Sequence, residues 1–116
     1  MESTYCILLF FHWIGDFVCQ NRYIADNKSK SWYVLTLHVA IYSFVMSWGT
    51  IIALGKVNPI WLIVNFLAHF VTDAITSRIT SHLHKKGKIK EFFTVIGFDQ
   101  FIHATTLILT TKYFLN

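Results

Sequence analysis

The chain has 116 residues, of which 54% are apolar and 14% charged, with a single proline and a formal net charge of +4. One domain of this length has too little interior to hide so much apolar surface, so a soluble globular fold is excluded and a bilayer is the natural solvent. The basic residues are not interleaved with aromatics on a soluble face, so the positive balance does not point to a nucleic-acid partner.

Four apolar stretches have the ~17–25 residues that cross ~30 Å of hydrocarbon. The first, Thr4–Gln20, is short and carries His12 and Asp16. It lacks the basic flank and small-residue cleavage site of a signal peptide, so it is expected to remain in the protein. Cys6 and Cys19 are too far apart for a CxxC pair and read as buried thiols. The connection Asn21–Ser31 holds Arg22, Lys28 and Lys30. Span two, Trp32–Leu54, carries His38 with Tyr42 four residues on, and Gly55 suits its end. Pro59 fits the first turn of span three, Pro59–Thr80, where its missing N–H costs nothing. That span carries Asn65, His69, Asp73 and Arg78. The connection Ser81–Glu91 is basic, and its His82 and His84 fall on different sides of a helix, which makes them poor ligands. Span four, Phe92–Leu115, carries Asp99, Gln100 and His103.

Short connections favour antiparallel neighbours, so the expected architecture is all-α: one transmembrane domain over residues 1–116, an up-down four-helix bundle. The two connections after spans one and three, with Arg78 beside the second, hold eight of the ten Lys and Arg residues; only Lys56 and Lys112 lie at the other side. The positive-inside rule then places those connections in the cytoplasm and both termini outside, in an inner membrane. Trp32, Tyr33, Trp61 and Tyr113 lie near span ends, where aromatic side chains favour the interface.

The chain has four Asp, and three of them pair with His at i,i+4: His12 with Asp16, His69 with Asp73, and Asp99 with His103. The last pair is reversed in sequence and its span runs the opposite way, so all three place Asp nearer the cytoplasm and His deeper. At ~1.5 Å per residue, Asp16, His38, Asp73 and Asp99 lie roughly 6–10 Å in, and His12, His69 and His103 roughly 13–16 Å in. A buried carboxylate costs ~3 kcal/mol even on lenient insertion scales, so three matched pairs need a common cause.

A divalent cation supplies one, because imidazole nitrogen and carboxylate oxygen both ligate Zn, Mn or Fe and the ion offsets the buried charge. His12, Asp16, His38, His69, Asp73, Asp99 and His103 are the candidate ligands. They suit one ion with the surplus orienting its ligands, or two ions with a bridging Asp. Two other readings stay open: a proton or ion relay, as in a transporter or channel, and interhelical hydrogen bonds that only stabilise packing. Gln20 and Gln100 extend the polar stripes and are placed to orient ligands or substrate. Lys85, Lys86, Lys88 and Lys90 set topology and also suit attraction of anionic groups.

The ordered set His12-x3-Asp16-Phe17-x2-Gln20, Asn27-Lys28, His38-x3-Tyr42, His69-x3-Asp73-x4-Arg78 and Asp99-Gln100-x2-His103 resembles the domain-of-unknown-function 3307 family, small multi-span proteins of bacteria and phages. That resemblance implies a shared polar site, with Lys28 and Arg78 joining Gln20 and Gln100 as candidate substrate-binding residues. Repeated HxxxD in membrane helices also resembles, more loosely, membrane-bound metal-dependent hydrolases.

The function expected from these residues is a membrane-embedded metal-dependent hydrolase acting on a phosphate-containing or lipid substrate at the cytoplasmic leaflet. Asp16, Asp73 and Asp99 are its candidate catalytic residues. The alternatives are a divalent-ion or proton transporter and a non-enzymatic membrane factor acting through partners. Expected partners are membrane lipids and an anionic substrate, with a homo-oligomer compatible.

Overall fold

Short polar residues and two glycines set where the helices start and stop. A computed structural model describes residues 2–115, which form helices and connections with no strand among the described residues. Helix α1, Glu2–Trp13, passes directly into a π-helical turn, Ile14–Val18. Asn21 accepts the amide of Ile24 and starts a short helix α2, Arg22–Asn27. Ser31 does the same for Val34 at the head of α3, Trp32–Leu54, which ends where Gly55 takes φ +72°. Asn58 accepts the amides of Ile60 and Trp61 and Pro59 opens α4, Pro59–Lys85. Gly87, also at φ +72°, precedes α5, Ile89–Phe114.

Three helices, α3, α4 and α5, are long and apolar enough to cross a membrane. The stretch expected as span one is built differently, as 12 residues of α1 and five of π turn. Helix α4 runs more than a turn past the expected end at Thr80, and α2 lies in the connection that precedes α3.

Helix α1 and the π turn pack on α3, α3 packs on α4, α4 on α5, and α1 also meets α5. The α1–α3 approach is close. A Cβ at Gly49 would lie 3.0 Å from Phe11, and one at Gly15 would lie 2.9 Å from Tyr42 Cδ2. Small residues allow helices to come this near.

The distribution of polarity is inverted relative to a water-soluble helical protein. Ile60, Ile63, Leu67, Val71, Ile75 and Ile79 form an exposed stripe along α4 at spacings of three and four. His38, His69, Asp73, Asn65 and Thr76 of α3 and α4 are buried. The apolar core, Leu8, Tyr42, Met46, Trp61 and Leu107, lies on the side of the polar cluster nearer the chain termini. Trp61 is part of it, contrary to the interfacial position expected: it is fully buried and its Nε1 donates to Thr111 Oγ1 at 3.3 Å. Trp32, Tyr33 and Tyr113 are exposed. Cys6 also departs from expectation. The inward face of α1 is Thr4, Leu8 and His12, which leaves Cys6 exposed; Cys19 is half-buried and both thiols are free.

Candidate metal centre

The π turn decides where the first polar pair points. The Cys19 amide donates to the Ile14 carbonyl, five residues back, at 2.8 Å. This wider turn changes the azimuth of side chains after Trp13 relative to those before it, and such π-helical insertions are frequent at functional sites. Gly15 lets the turn press against Tyr42, and Asp16 is carried inward to helices α3 and α4.

Four side chains from three elements converge there. His38 Nε2 lies 3.1 Å from Asp16 Oδ1 and 3.0 Å from Asp73 Oδ2. His69 Nε2 lies 3.2 Å from the same Asp16 oxygen and 3.4 Å from the same Asp73 oxygen. The two ring nitrogens are 3.3 Å apart. Bonds of ~2.0–2.1 Å to a tetrahedral ion hold its donors ~3.3–3.4 Å from one another, so these five separations are close to the edges of such a coordination shell. Asp16 Oδ1 is buried and accepts no hydrogen bond, although two imidazole nitrogens lie within 3.2 Å of it. A carboxylate oxygen in that state has the environment of a ligand atom aimed at a common centre.

A second donor group shares one member with the first: Asp16, Asp99 and His103. His103 Nε2 is 3.2 Å from Asp99 Oδ1 and 3.0 Å from Asp73 Oδ1. Thr76 Oγ1 donates to Asp99 Oδ1 at 2.6 Å. Tyr42, His69 and His103 form a continuous stack, with ring centroids 4.0 Å apart at each step, which holds both imidazoles in plane.

His12, expected among the ligands, stands outside both groups. Its Nδ1 is 2.9 Å from the Tyr42 hydroxyl and its Nε2 is 2.9 Å from Gln100 Oε1, so both ring nitrogens are occupied. Gln100 in turn donates to Asp16 Oδ2 at 2.9 Å and Asp99 Oδ2 at 3.1 Å. The amide therefore ties His12 to two carboxylates and orients them.

A cavity of about 450 Å³ leads to the centre. It follows α4 inward from Lys85 through Ser81, Ser77 and Asp73, and α5 from Phe92 through Ile96 to Asp99. Asp16, Asp73 and Asp99 line it, whereas His12, His38, His69 and His103 lie behind them. This is the depth order that the reversed motif of span four implied. Lys28 reaches in from the end of α2, with Nζ 3.3 Å from Asp73 Oδ2. Gln20 also lines the cavity, and its Oε1 is buried without a partner. Arg78, expected to bind substrate, faces elsewhere. Its guanidinium sits 4.2 Å over the Trp32 ring and donates to the Ala74 carbonyl at 2.7 Å. His84 lines the mouth of the cavity, beside Phe92, rather than the donor cluster.

Thr76 and Ser77 also line the cavity, although neither stands out in the sequence. Their signal was the hydroxyl stripe Asp73, Thr76, Ser77, Thr80 at helical spacing, which is easily taken for ordinary packing of polar residues in a span.

The chain belongs to the family described as "Protein of unknown function (DUF3307)", which it matches over residues 4–116. No curated protein and no solved structure matches it.

Proposed function

With DUF3307 membership as the premise, we propose that the chain is a four-span inner-membrane hydrolase that uses divalent metal ions on a phosphate-containing or lipid substrate at the cytoplasmic leaflet. The observation that carries this reading is Asp16 Oδ1, buried without a hydrogen bond between two imidazole nitrogens at coordination-shell spacing. Charge supports it. Among the described residues Lys28, through Asp73, is the one Lys or Arg that contacts any of the three carboxylates, so cations held with neutral imidazoles would offset the remaining buried charge.

The first donor group offers four ligands, Asp16, His38, His69 and Asp73, a closed set. The second offers three, Asp16, Asp99 and His103, the number that catalytic sites use, and leaves a position toward the cavity. Nitrogen and carboxylate donors of this kind suit Zn, Mn or Fe. A bound ion supplies Lewis acidity and a water of lowered pKa. Asp99 would face the ion through Oδ1, which leaves Oδ2, beside Gln100 at the cavity wall, to take the proton of the attacking water. Lys28 and Ser77 hold the anionic group being cleaved.

Helix α1 with the π turn is the fourth span in this reading, with a rise of roughly 25 Å. The Lys-rich ends of α2, α4 and α5 then lie in the cytoplasm with the mouth of the cavity, and both termini lie outside. The half of the protein beyond the cluster holds Leu8, Met46, Trp61 and Leu107, with Thr50, Asn65 and Thr111 buried among them and no ionisable side chain in that group. That filling favours a one-mouthed hydrolase over a transport path.

The test is metal content and turnover of detergent-purified protein. Two divalent ions per chain and release of phosphate or alcohol from a phosphoester are expected, with the ion of the four-ligand group and the turnover lost in His69→Ala. Substoichiometric metal in a folded wild type, unchanged by that substitution, overturns the reading.

A further inference from the structure

The cavity has a side as well as a mouth. No Cα of α5 lies within 8 Å of one in the π turn or in α2, so their backbones stand apart and α5 meets the π turn through side chains such as Gln100 and Asp16. Between them stand Phe17 on one wall and Phe92 and Ile96 on the other, all lining the cavity. Phe92, Ile96 and Gln100 share one stripe of α5. At the inner end, the bond from Gln100 to Asp16 closes the gap. Outside it, Phe17, Val18 and Phe93 are exposed, continuing the apolar outer surface.

The rest of the lining is more polar and incompletely paired. Ser77 is 6% exposed and its Oγ has no hydrogen-bond partner, although it lines the cavity. Gln20 Oε1 is buried and unpartnered in the same cavity. Lys28, whose Nζ is 3.3 Å from Asp73 Oδ2, lines the same cavity. One end of a single space therefore offers a cation, a free hydroxyl and a free carbonyl oxygen, and its side offers two phenyl rings and an isoleucine.

We propose that this slot is the lateral entry for a membrane phospholipid. Its phosphate is held by Lys28 and Ser77, a protonated phosphate oxygen or a headgroup hydroxyl donates to Gln20 Oε1, and an acyl chain leaves between Phe17 and Ile96 into the leaflet. A water-soluble phosphate entering past Lys85 would leave these apolar walls wet, at ~25 cal/mol per Å² of surface. The head-group part rests on the metal reading, because an anion above three carboxylates needs the cation there. The slot itself rests on the packing gap.

Native mass spectrometry of the full-length protein in detergent tests it, with phosphatidic acid and glycerol 3-phosphate as probes and metal measured on every sample. Wild type should retain one phosphatidic acid per chain, and glycerol 3-phosphate should bind at least ~100-fold more weakly, as expected when most apolar burial is forfeited. Ile96→Trp, and independently Phe17→Trp from the facing wall, should lower lipid retention at least ~10-fold by filling the slot. Leu109→Trp, on the exposed face of α5, should leave it unchanged. Lipid retention unaltered in both slot variants, at wild-type melting temperature, overturns the proposal, as does glycerol 3-phosphate matching phosphatidic acid. A slot that responds in protein containing no metal supports the entry route and removes the hydrolase reading. Two ions per chain with a slot that does not respond does the reverse.

Discussion

Asp16 Oδ1 lies 3.1 Å from His38 Nε2, a contact that joins a π turn near the N-terminus to the first long helix. Asp16 is also the one residue common to both donor groups. Asp16→Asn should therefore remove metal from both, taking the content to background. Asp99→Asn should leave the four-ligand group intact and one ion bound. Elemental analysis of the two variants, side by side with wild type, checks this; equal metal in both would contradict a shared ligand.

His12 and His69 differ in role despite identical HxxxD settings. His69 Nε2 faces both Asp16 and Asp73, whereas His12 is held by Tyr42 and Gln100. His69→Ala should abolish metal binding at the four-ligand group. His12→Gln should weaken it ~10–100-fold, the usual cost of losing a group that orients ligands. Titration with a competing chelator separates the two.

Lys28 repels a cation and attracts a phosphate. At 3.3 Å from Asp73 Oδ2, its charge is worth on the order of 1–5 kcal/mol depending on local dielectric. Lys28→Met should tighten metal binding several-fold or more while raising KM for an anionic substrate. Both effects in one variant are the signature; a loss of metal would argue that Lys28 builds the site rather than serving it.

Gly15 and Gly49 provide a matched pair. A Cβ at either clashes across the α1–α3 contact, with Tyr42 at 2.9 Å or Phe11 at 3.0 Å. Each Gly→Ala change should cost ~1–3 kcal/mol, read as a lower melting temperature in detergent. Only Gly15→Ala should also reduce metal content, because Gly15 adjoins Asp16 within the π turn.

Arg78→Ala should lose a cation–π contact with Trp32 worth ~0.5–1 kcal/mol and leave turnover unchanged. A rise in KM would return Arg78 to the substrate site.

Much of this protein is written locally. The bounds of α3, the stop at Gly55 and the start at Pro59 follow from caps and backbone preferences that need no neighbour. Three helices long and apolar enough to cross a membrane follow from length and hydropathy. The i,i+4 pairs and the antiparallel run of the helices already place Asp73 and Asp99 toward one end with His69 and His103 deeper, and the cavity lining repeats that order.

What the sequence could not set is the rotation of each helix about its axis. Periodicity names a polar stripe but not the partner it meets. The π turn therefore separates Asp16 from His12, Trp61 turns inward, and Cys6 and Arg78 turn away from the interior positions their sequence suggests. The gap beside α5 is likewise invisible in one dimension, since it exists only where the backbones of elements distant in sequence stand apart. Composition and spacing determined that three carboxylates and several imidazoles would share a depth. Only close packing at Gly15 and Gly49, and one wide helical turn, decided which four point at one another.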